Sequence, residues 1–456
     1  MLDARRVAAW LLAAALGCAG VTVEAANTPP KISGTPPTYV TIPKTYLFQP
    51  TASDAETTKL KFTISGKPAW ATFTASTGKL TGTPQLANVG TYGNIKISVS
   101  DGRYTTSLAP FAITVFPPRK SNYGHYFAMR YADTPADAAM LCEQAGVKGV
   151  VWRRTWGEVE AAAGSYDFSS FDNVLAAIAG SHNPQCQLWL FVEYKSFSNS
   201  PVKNPCPPYL QAQYSAPNAN GNGASTCFMW DPVVLNAYVA MIKAAAARYD
   251  ANPRIEGMIF QESALGFNGT YSQDVADGGT YTPEAWRDGL ITLAQQCGAA
   301  FSQSRCVSFL NFLRGGQQYM YNVSAAIAGV PDNRACISGP DLLPDESTLY
   351  TGDGAIYEVM VRHQGCRSNS AQNASYGVTG CDMDCIFHFG VGGTFGDFPE
   401  ATPRAGGVCI NSYLFWSHRV VASPTGLDWT SALPVIAAYP YGSMWLDQCT
   451  GGGGAP

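Results

Sequence analysis

Between residue 27 and about residue 117 hydrophobic and polar positions alternate in short runs, as in Tyr46-Leu-Phe-Gln-Pro50, Leu60-Lys-Phe-Thr-Ile64 and Ile95-Lys-Ile-Ser-Val-Ser100. Period-two alternation broken by frequent turn residues predicts an antiparallel β-sandwich, closed by Pro117-Pro118. From residue 123 the rhythm changes to strand, loop and helix. Strands are predicted at 124–130, 149–153, 187–193, 255–261, 306–313, 335–339, 366–372 and 408–416. Helical spacing is predicted between them at 135–145, 233–248, 283–299 and 355–361, with a last short helix at 431–438. This alternation, continued to about residue 450, predicts a (β/α)8 TIM barrel, in which catalytic groups sit at the C-terminal ends of the strands. A doubly wound open sheet is the alternative, but no Gly-rich nucleotide fingerprint follows the first strand.

The N-terminus adds a compartment. Arg5 and Arg6 precede an apolar run from Val7 to Leu16, then small residues and Val23-Glu24-Ala25. That order predicts a secretory signal peptide over residues 1–25, followed by a sandwich at 27–117 and a barrel at 123–450. Cys18, in Ala15-Leu-Gly-Cys18, offers a lipoprotein reading, and simple secretion is preferred. No later apolar stretch is long enough to span a membrane. The other twelve of the thirteen cysteines all follow residue 140, an even set that export turns into disulfides. Cys206/Cys227, Cys297/Cys306 and Cys381/Cys385 are the local pairs suggested, against a rival zinc site of Cys381, Cys385 and His388. Net charge is −4, so nothing favours nucleic acid. Only 14% of residues are charged, and aromatic residues are plentiful, a composition that suits the neutral hydroxyls and apolar faces of sugars.

Two stretches carry family resemblances. Lys67-Pro-Ala-Trp70, Thr77-Gly-Lys-Leu-Thr-Gly-Thr-Pro84, Ile97-Ser-Val-Ser-Asp-Gly102 and Phe111-Ala-Ile-Thr-Val-Phe116 make the first segment resemble Ig/cadherin-like domains. The resemblance implies a spacer or an adhesive module, with cell-surface glycan as a candidate partner. Asp54 and Asp101 could bind calcium as in cadherins, but read better as turn aspartates. Trp152-Arg-Arg-Thr-Trp156-Gly-Glu-Val-Glu160, then Gly164-Ser-Tyr-Asp-Phe168 and Asp172, resemble the second strand and loop of β-galactosidase-type and related clan A glycosidases. Glu160 and Asp172 read as a loop-fixing and a helix-capping residue, while Arg153 or Arg154 is a candidate for the cleft.

The clan A resemblance implies a site. Met258-Ile-Phe-Gln-Glu262-Ser263 ends the fourth predicted strand where those enzymes carry Asn-Glu, which makes Glu262 the expected general acid/base and Gln261 a candidate for the sugar's 2-hydroxyl. The pattern then breaks. Strand seven runs into Arg367-Ser-Asn-Ser-Ala-Gln372-Asn373, without the expected nucleophilic Glu. Asp341 after strand six and Glu193 at the end of strand three are equal candidates for the second carboxylate, with Glu358 a third if the strand register differs. Trp416, in Tyr413-Leu-Phe-Trp416-Ser-His418, is expected to floor a sugar subsite. Tyr194, Gln372, Arg153 and His418 are further substrate-binding candidates, with His125, Tyr126, Arg130, Arg314 and Tyr376 as possible cleft walls. The implied activity is hydrolysis of a β-linked polysaccharide or oligosaccharide, without metal or cofactor. The alternative is a non-catalytic carbohydrate-binding or adhesive protein on a barrel that has lost its nucleophile. A Ser-His-Asp hydrolase ranks third, since no Gly-x-Ser-x-Gly elbow is present.

Overall fold

The computed structural model describes residues 27–120, 122, 124–129, 131–196, 201–217, 224–263, 265, 281–310, 313, 316–339, 369–373 and 410–416. The chain divides into two compact units, Met1–Val115 and Phe116–Pro456.

The first unit is built from short antiparallel strands: β1 (Lys31–Ser33), β2 (Tyr39–Thr41), β3 (Tyr46–Phe48), β4 (Thr51–Ser53), β5 (Lys61–Ser65), β6 (Thr72–Thr74), β7 (Lys79–Gly82), β8 (Gly90–Ser100), β9 (Thr105–Ser107) and β10 (Phe111–Phe116). One sheet runs β2-β10-β8-β5 with β9 on β8, a second runs β3-β7-β6, and β1 pairs β4. Alternate residues of both sheets, among them Tyr46, Phe48, Phe62, Leu80, Ile95, Ile97, Val99, Ile113 and Val115, form one core. Asp54 and Asp101 are turn residues. Asp54 Oδ1 accepts from the amides of Glu56 and Thr57 at 3.0 and 2.8 Å, and Asp101 Oδ1 accepts from those of Arg103 and Tyr104, both at 2.6 Å.

The second unit is organised by eight parallel strands that close on themselves: β11 (Gly124–Ala128), β12 (Val147–Thr155), β13 (Gln187–Glu193), β16 (Ile255–Phe260), β17 (Arg305–Phe309), β18 (Ala335–Gly339), β19 (Asn369–Asn373) and β20 (Ile410–Trp416), with β20 returning to β11. The short hairpin β14 (Ser215–Pro217) and β15 (Ser225–Cys227) lies between β13 and β16 in the chain. Helices α1 (Pro135–Cys142), α2 (Trp156–Val159), α3 (Ser169–Ala179), α4 (Pro208–Tyr214), α5 (Pro232–Tyr249), α6 (Pro283–Ala300) and α7 (Gly316–Ala328) fill the connections up to β18. The connections after β18 lie outside the described residues, as do the helices expected at 355–361 and 431–438.

Three of the helices begin where the chain supplies a cap followed by proline. Thr134-Pro135, Asp231-Pro232 and Thr282-Pro283 start α1, α5 and α6, each cap side chain accepting an amide of the first turn. Parity then sorts the strands. On β13, Leu188, Leu190 and Val192 join the large core shared with the helices, while Trp189 and Phe191 point into the barrel with Tyr126, Ala128, Val151, Ile259, Val307 and Cys336. Tyr126 and Trp189 meet edge to face at 6.1 Å inside it. Two glycines make room for them. A Cβ at Gly149 would stand 2.2 Å from the Gln187 carbonyl oxygen and 2.8 Å from the Tyr126 ring, and one at Gly257 would stand 2.0 Å from the Arg305 carbonyl oxygen and 2.6 Å from the Trp189 ring.

Polar groups hold the lower end, where β16 and β17 begin. Arg305 Nη1 pairs with Glu256 Oε1 at 3.0 Å, both side chains fully buried, and Asn122 Nδ2 donates to Glu256 Oε2 at 2.8 Å. Lys120 Nζ reaches the carbonyls of Asp250, Asn252 and Ile255 and the Ser304 hydroxyl at 2.6–2.9 Å.

Three disulfides join Cys142 to Cys186, Cys206 to Cys227 and Cys297 to Cys306. The last two are pairs expected from the sequence. Cys142–Cys186, 44 residues apart, is long-range and links the end of α1 to the residue before β13. Cys336 is also disulfide-bonded. The Cys381/Cys385 pair and the rival zinc site with His388 lie outside the described residues.

Replacing Arg305 with Met would strand the Glu256 carboxylate in a buried site. Removing one partner of such a pair is expected to cost about 3–5 kcal/mol, read as a lower denaturant midpoint, whereas Arg305→Met/Glu256→Leu should recover most of it. A single-variant loss below about 1 kcal/mol would show that water reaches and solvates Glu256.

Candidate active site

Three neighbouring strands bring the charged residues together. On β12, Val151 faces into the barrel, and the same parity turns Arg153 inward. Its guanidinium lies 5.7 Å from the Phe191 ring centre and 5.6 Å from that of Tyr131. Arg154 points the other way and stacks at 4.5 Å on Trp152, a residue of the outer core. On β13 the inward series Trp189, Phe191 ends on Glu193, whose side chain is 3% exposed. Arg153 donates to Glu193 Oε1 through Nε at 3.1 Å and Nη2 at 2.5 Å, and the Tyr131 hydroxyl donates to Oε2. Burial drives this carboxyl well above the usual range. The Lys195 ammonium acts against burial, and Arg153 places two N–H groups on the one oxygen, Oε1.

Beyond the last residues of β13 and β16, side chains replace the strand ladder. Gln261 Oε1 accepts from the amides of Tyr194 and Lys195 at 2.9 and 2.6 Å, and its Nε2 donates to the Lys195 carbonyl at 2.6 Å. Ser263 fastens the other side, its amide donating to the Phe309 carbonyl at 3.0 Å and its carbonyl accepting from Trp286 Nε1 at 2.9 Å. Glu262 is therefore fixed between two tied residues, with its side chain 24% exposed. Lys195 Nζ stands 3.3 Å from Glu262 Oε1 and 3.3 Å from the Glu262 carbonyl. The Lys195 side chain is fully buried. Burial pushes its amine down, and Glu262 and then Glu193 pull it back.

An insert after β13 is tied to the residues that follow the strand. Lys195 bridges to Thr226, the Ser196 amide donates to the Ser225 carbonyl at 2.9 Å, and the Cys227 amide donates to the Tyr194 carbonyl at 2.9 Å. The Cys206–Cys227 disulfide closes that insert.

The expected residues separate accordingly. Glu193, Arg153, Gln261 and Glu262 come together at the C-terminal ends of β12, β13 and β16. Gln261 spends its amide on the backbone of Tyr194 and Lys195 rather than presenting it to a cleft. Tyr194 is fully buried against Tyr238 and Trp286 on the outer face, because one step along the strand from Glu193 reverses the direction of the side chain. Parity likewise puts His125 with the outward Phe127, and Tyr126 sits deep in the barrel, so neither is a cleft wall. Glu160 fixes its loop as expected, accepting from Trp156 Nε1, the Gly164 amide and the Tyr209 hydroxyl at 2.7–2.8 Å. Asp172 pairs with Arg248 and Tyr249 on α5, and the amide of Ser169 at the start of α3 is taken by Asp167 instead.

Trp416 ends β20 in register with Ala128, and Gln372 lies on β19 in register with Leu414. Asp341, His418, Arg130, Arg314, Glu358 and Tyr376 lie outside the described residues. Tyr131 and Lys195 were not singled out by the sequence, although a lysine closing an apolar run beside a glutamate was a usable signal. Among the described residues no group of three or more His, Cys, Asp or Glu could hold a metal ion, and no helix is long and apolar enough to cross a membrane.

The family model described as "Putative Ig domain" matches residues 21–116. No curated protein sequence matches the chain. Solved structures similar to it are glycoside hydrolases. An endo-glycoceramidase II from Rhodococcus sp., determined as a lactosyl-enzyme intermediate, is 14% identical, with 70% of this chain and 78% of that one covered at a TM-score of 0.44. A family 39 glycoside hydrolase from Bacteroides cellulosilyticus WH2 is 11% identical, with 90% and 83% covered at 0.41. An exo-β-1,4-mannosidase from Opitutaceae bacterium strain TAV5 is 12% identical, with 69% and 55% covered at 0.42.

The disulfide that closes the insert yields a prediction. Replacing Cys206 and Cys227 together by Ser should lower stability by about 2–4 kcal/mol in a denaturant titration and speed proteolysis between Lys195 and Trp230. An unchanged midpoint and cleavage rate would show that the hydrogen bonds of the insert hold it without the bridge.

Proposed function

We propose that the second unit is a (β/α)8 glycoside hydrolase, exported from the cell, that cleaves a β-linked polysaccharide or oligosaccharide with Glu262 as general acid/base. The observation that carries this reading is the pair of carboxylates ending adjacent parallel strands, Glu193 on β13 and Glu262 just beyond β16, with Lys195 coupled electrostatically to both. Two carboxylates in different surroundings are what glycosidic cleavage needs. Glu262 is the partly exposed one, able to meet a glycosidic oxygen. Its proton passes to that oxygen as the bond to the anomeric carbon breaks. If the second carboxylate bonds to that carbon, Glu262 then takes a proton from the water that displaces it. If water attacks directly, the second carboxylate takes that proton.

Glu193 is the proposed second carboxylate. Arg153 and Tyr131 engage both its oxygens and fix its direction, which suits stabilising or attacking a developing oxocarbenium ion. Asp341 remains its rival. If the two carboxyl groups stand ~5 Å apart across the bound sugar the reaction retains configuration, and at ~6.5–9.5 Å it inverts through a water. Trp416, at the end of β20, is the proposed floor of the sugar subsite, with His418 and Gln372 as further contacts. The second reading is a barrel that binds glycans without cleaving them. It is favoured by the near-complete burial of Glu193 and the engagement of both its oxygens. The disulfides fit an oxidising compartment outside the cytosol.

Glu262→Gln keeps shape and loses the transferable proton, so turnover of a natural β-glycan should fall by ~10²–10⁴ with binding retained. Activated aryl glycosides, whose leaving groups need little protonation, should lose far less. Glu193→Gln should harm both substrates, and Asp341→Asn neither. The reverse order would move the second carboxylate to Asp341. Wild-type turnover by Glu262→Gln would remove that residue from the mechanism, and glycan binding without turnover by the wild-type chain would select the second reading.

A further inference from the structure

We infer that Lys195 is a positioning residue for Glu262, a buried ammonium that fixes the direction of its carboxylate. The inference rests on the glycosidase reading of Glu262 and extends it to a residue outside the usual pair of carboxylates.

Four observations carry it. Lys195 Nζ contacts two atoms of the same residue, Glu262 Oε1 and the Glu262 carbonyl, each at 3.3 Å, and so ties the side chain to its own backbone. The ammonium is fully buried while the carboxylate is 24% exposed, so the contact leaves one side of Glu262 to solvent and substrate. The backbone of Lys195 is itself held by the Gln261 amide on one side and by the bridge to Thr226 on the other. Finally, Glu193 lies within electrostatic range of the same ammonium, a weaker influence on it than Glu262.

A buried ammonium is a costly way to add stability. Replacing a buried ion pair with an apolar side chain of similar volume is commonly neutral or stabilising. Here the partner is the more exposed of the two, so water can solvate Glu262 once Lys195 is gone. A purely structural lysine at this place would be easily replaced, and what the lysine adds is direction. A carboxylate displaced by about 1 Å from a reacting oxygen loses on the order of 10²-fold in rate.

The test compares Lys195→Met and Lys195→Arg in the full chain. Lys195→Met should keep its denaturant midpoint near the wild-type value and bind glycan with little change in KM. Its kcat on a β-linked oligosaccharide that the wild type hydrolyses should fall about 10–100-fold. Lys195→Arg should recover part of the loss, and Lys195→Met placed on Glu262→Gln should add almost nothing. An arm independent of turnover uses a water-soluble carbodiimide with an amine, followed by peptide mapping. Freed from its charged tether, Glu262 should label about tenfold faster in Lys195→Met than in the wild type.

Unchanged kcat, losses that add in the double variant, or unchanged labelling of Glu262 would each overturn the inference. So would a fall in kcat matched by a fall in stability with no recovery by Lys195→Arg. If Lys195→Met does not fold, the labelling rate in Lys195→Arg decides, a wild-type rate supporting the tether and a freed rate opposing it. Should Glu262→Gln turn over normally, the glycosidase reading of Glu262 falls, while faster labelling in Lys195→Met would still show that Lys195 holds it.

Discussion

The rim of the barrel depends on one amide. Adjacent parallel strands lie about 4.8 Å apart, but their backbone ladder stops near the ends, where chemistry would have to occur. Gln261 extends it with a side chain. Its oxygen takes the amides of Tyr194 and Lys195, and its nitrogen returns a bond to the Lys195 carbonyl. The extensions of β13 and β16 are thereby one unit, carrying Glu193, Lys195 and Glu262 in a fixed relation. An asparagine would reach one methylene less far. The longer side chain is what allows three hydrogen bonds to a neighbouring strand.

Charges beneath and beside that staple are matched one to one. Arg153 meets Glu193, Lys195 meets Glu262, and at the lower end Arg305 meets Glu256. Buried charges of this kind add little net stability, because desolvation offsets most of the attraction. Removing one partner is severe where the other is left buried, as at Arg305–Glu256, and mild where water can solvate it, as at Glu262. Between the two charged ends the barrel is filled by Tyr126, Trp189, Phe191 and smaller apolar side chains, with Gly149 and Gly257 giving up side chains so that the rings fit. The apolar filling keeps water from the middle of the barrel and makes the polar groups at its ends more sensitive to their partners.

Much of the fold was legible because barrel strands read as near-continuous apolar runs. All eight predicted strands overlap those described, and 187–193 and 335–339 match end to end. The strand expected at 306–313 stops at Phe309, and the helix expected to run to residue 145 stops at Cys142, before Gly146 with its positive φ. The site was less legible, for reasons of direction. Glu193 and Tyr194 are neighbours in sequence, yet alternation sends one into the barrel and the other into the outer core. The sequence pattern points Gln261 at a sugar, but its hydrogen-bond partners belong to the next strand. Tyr131 and Lys195 act through partners on other strands, at Glu193 and Glu262; the lysine closing an apolar run could be seen along the chain, but its partner could not. Cys142–Cys186 was illegible for the same reason, joining positions 44 residues apart.

The central claim is that Glu262 and Glu193 face one bound sugar at the C-terminal rim. A crystal structure of Glu262→Gln soaked with a β-linked oligosaccharide tests it most directly. The account predicts a sugar ring at the ends of β13 and β16, with its glycosidic oxygen about 3 Å from the side chain of residue 262. The Glu193 carboxylate should lie on the opposite side of the anomeric carbon. Oligosaccharide seated elsewhere on the barrel, or only on the first unit, would contradict it.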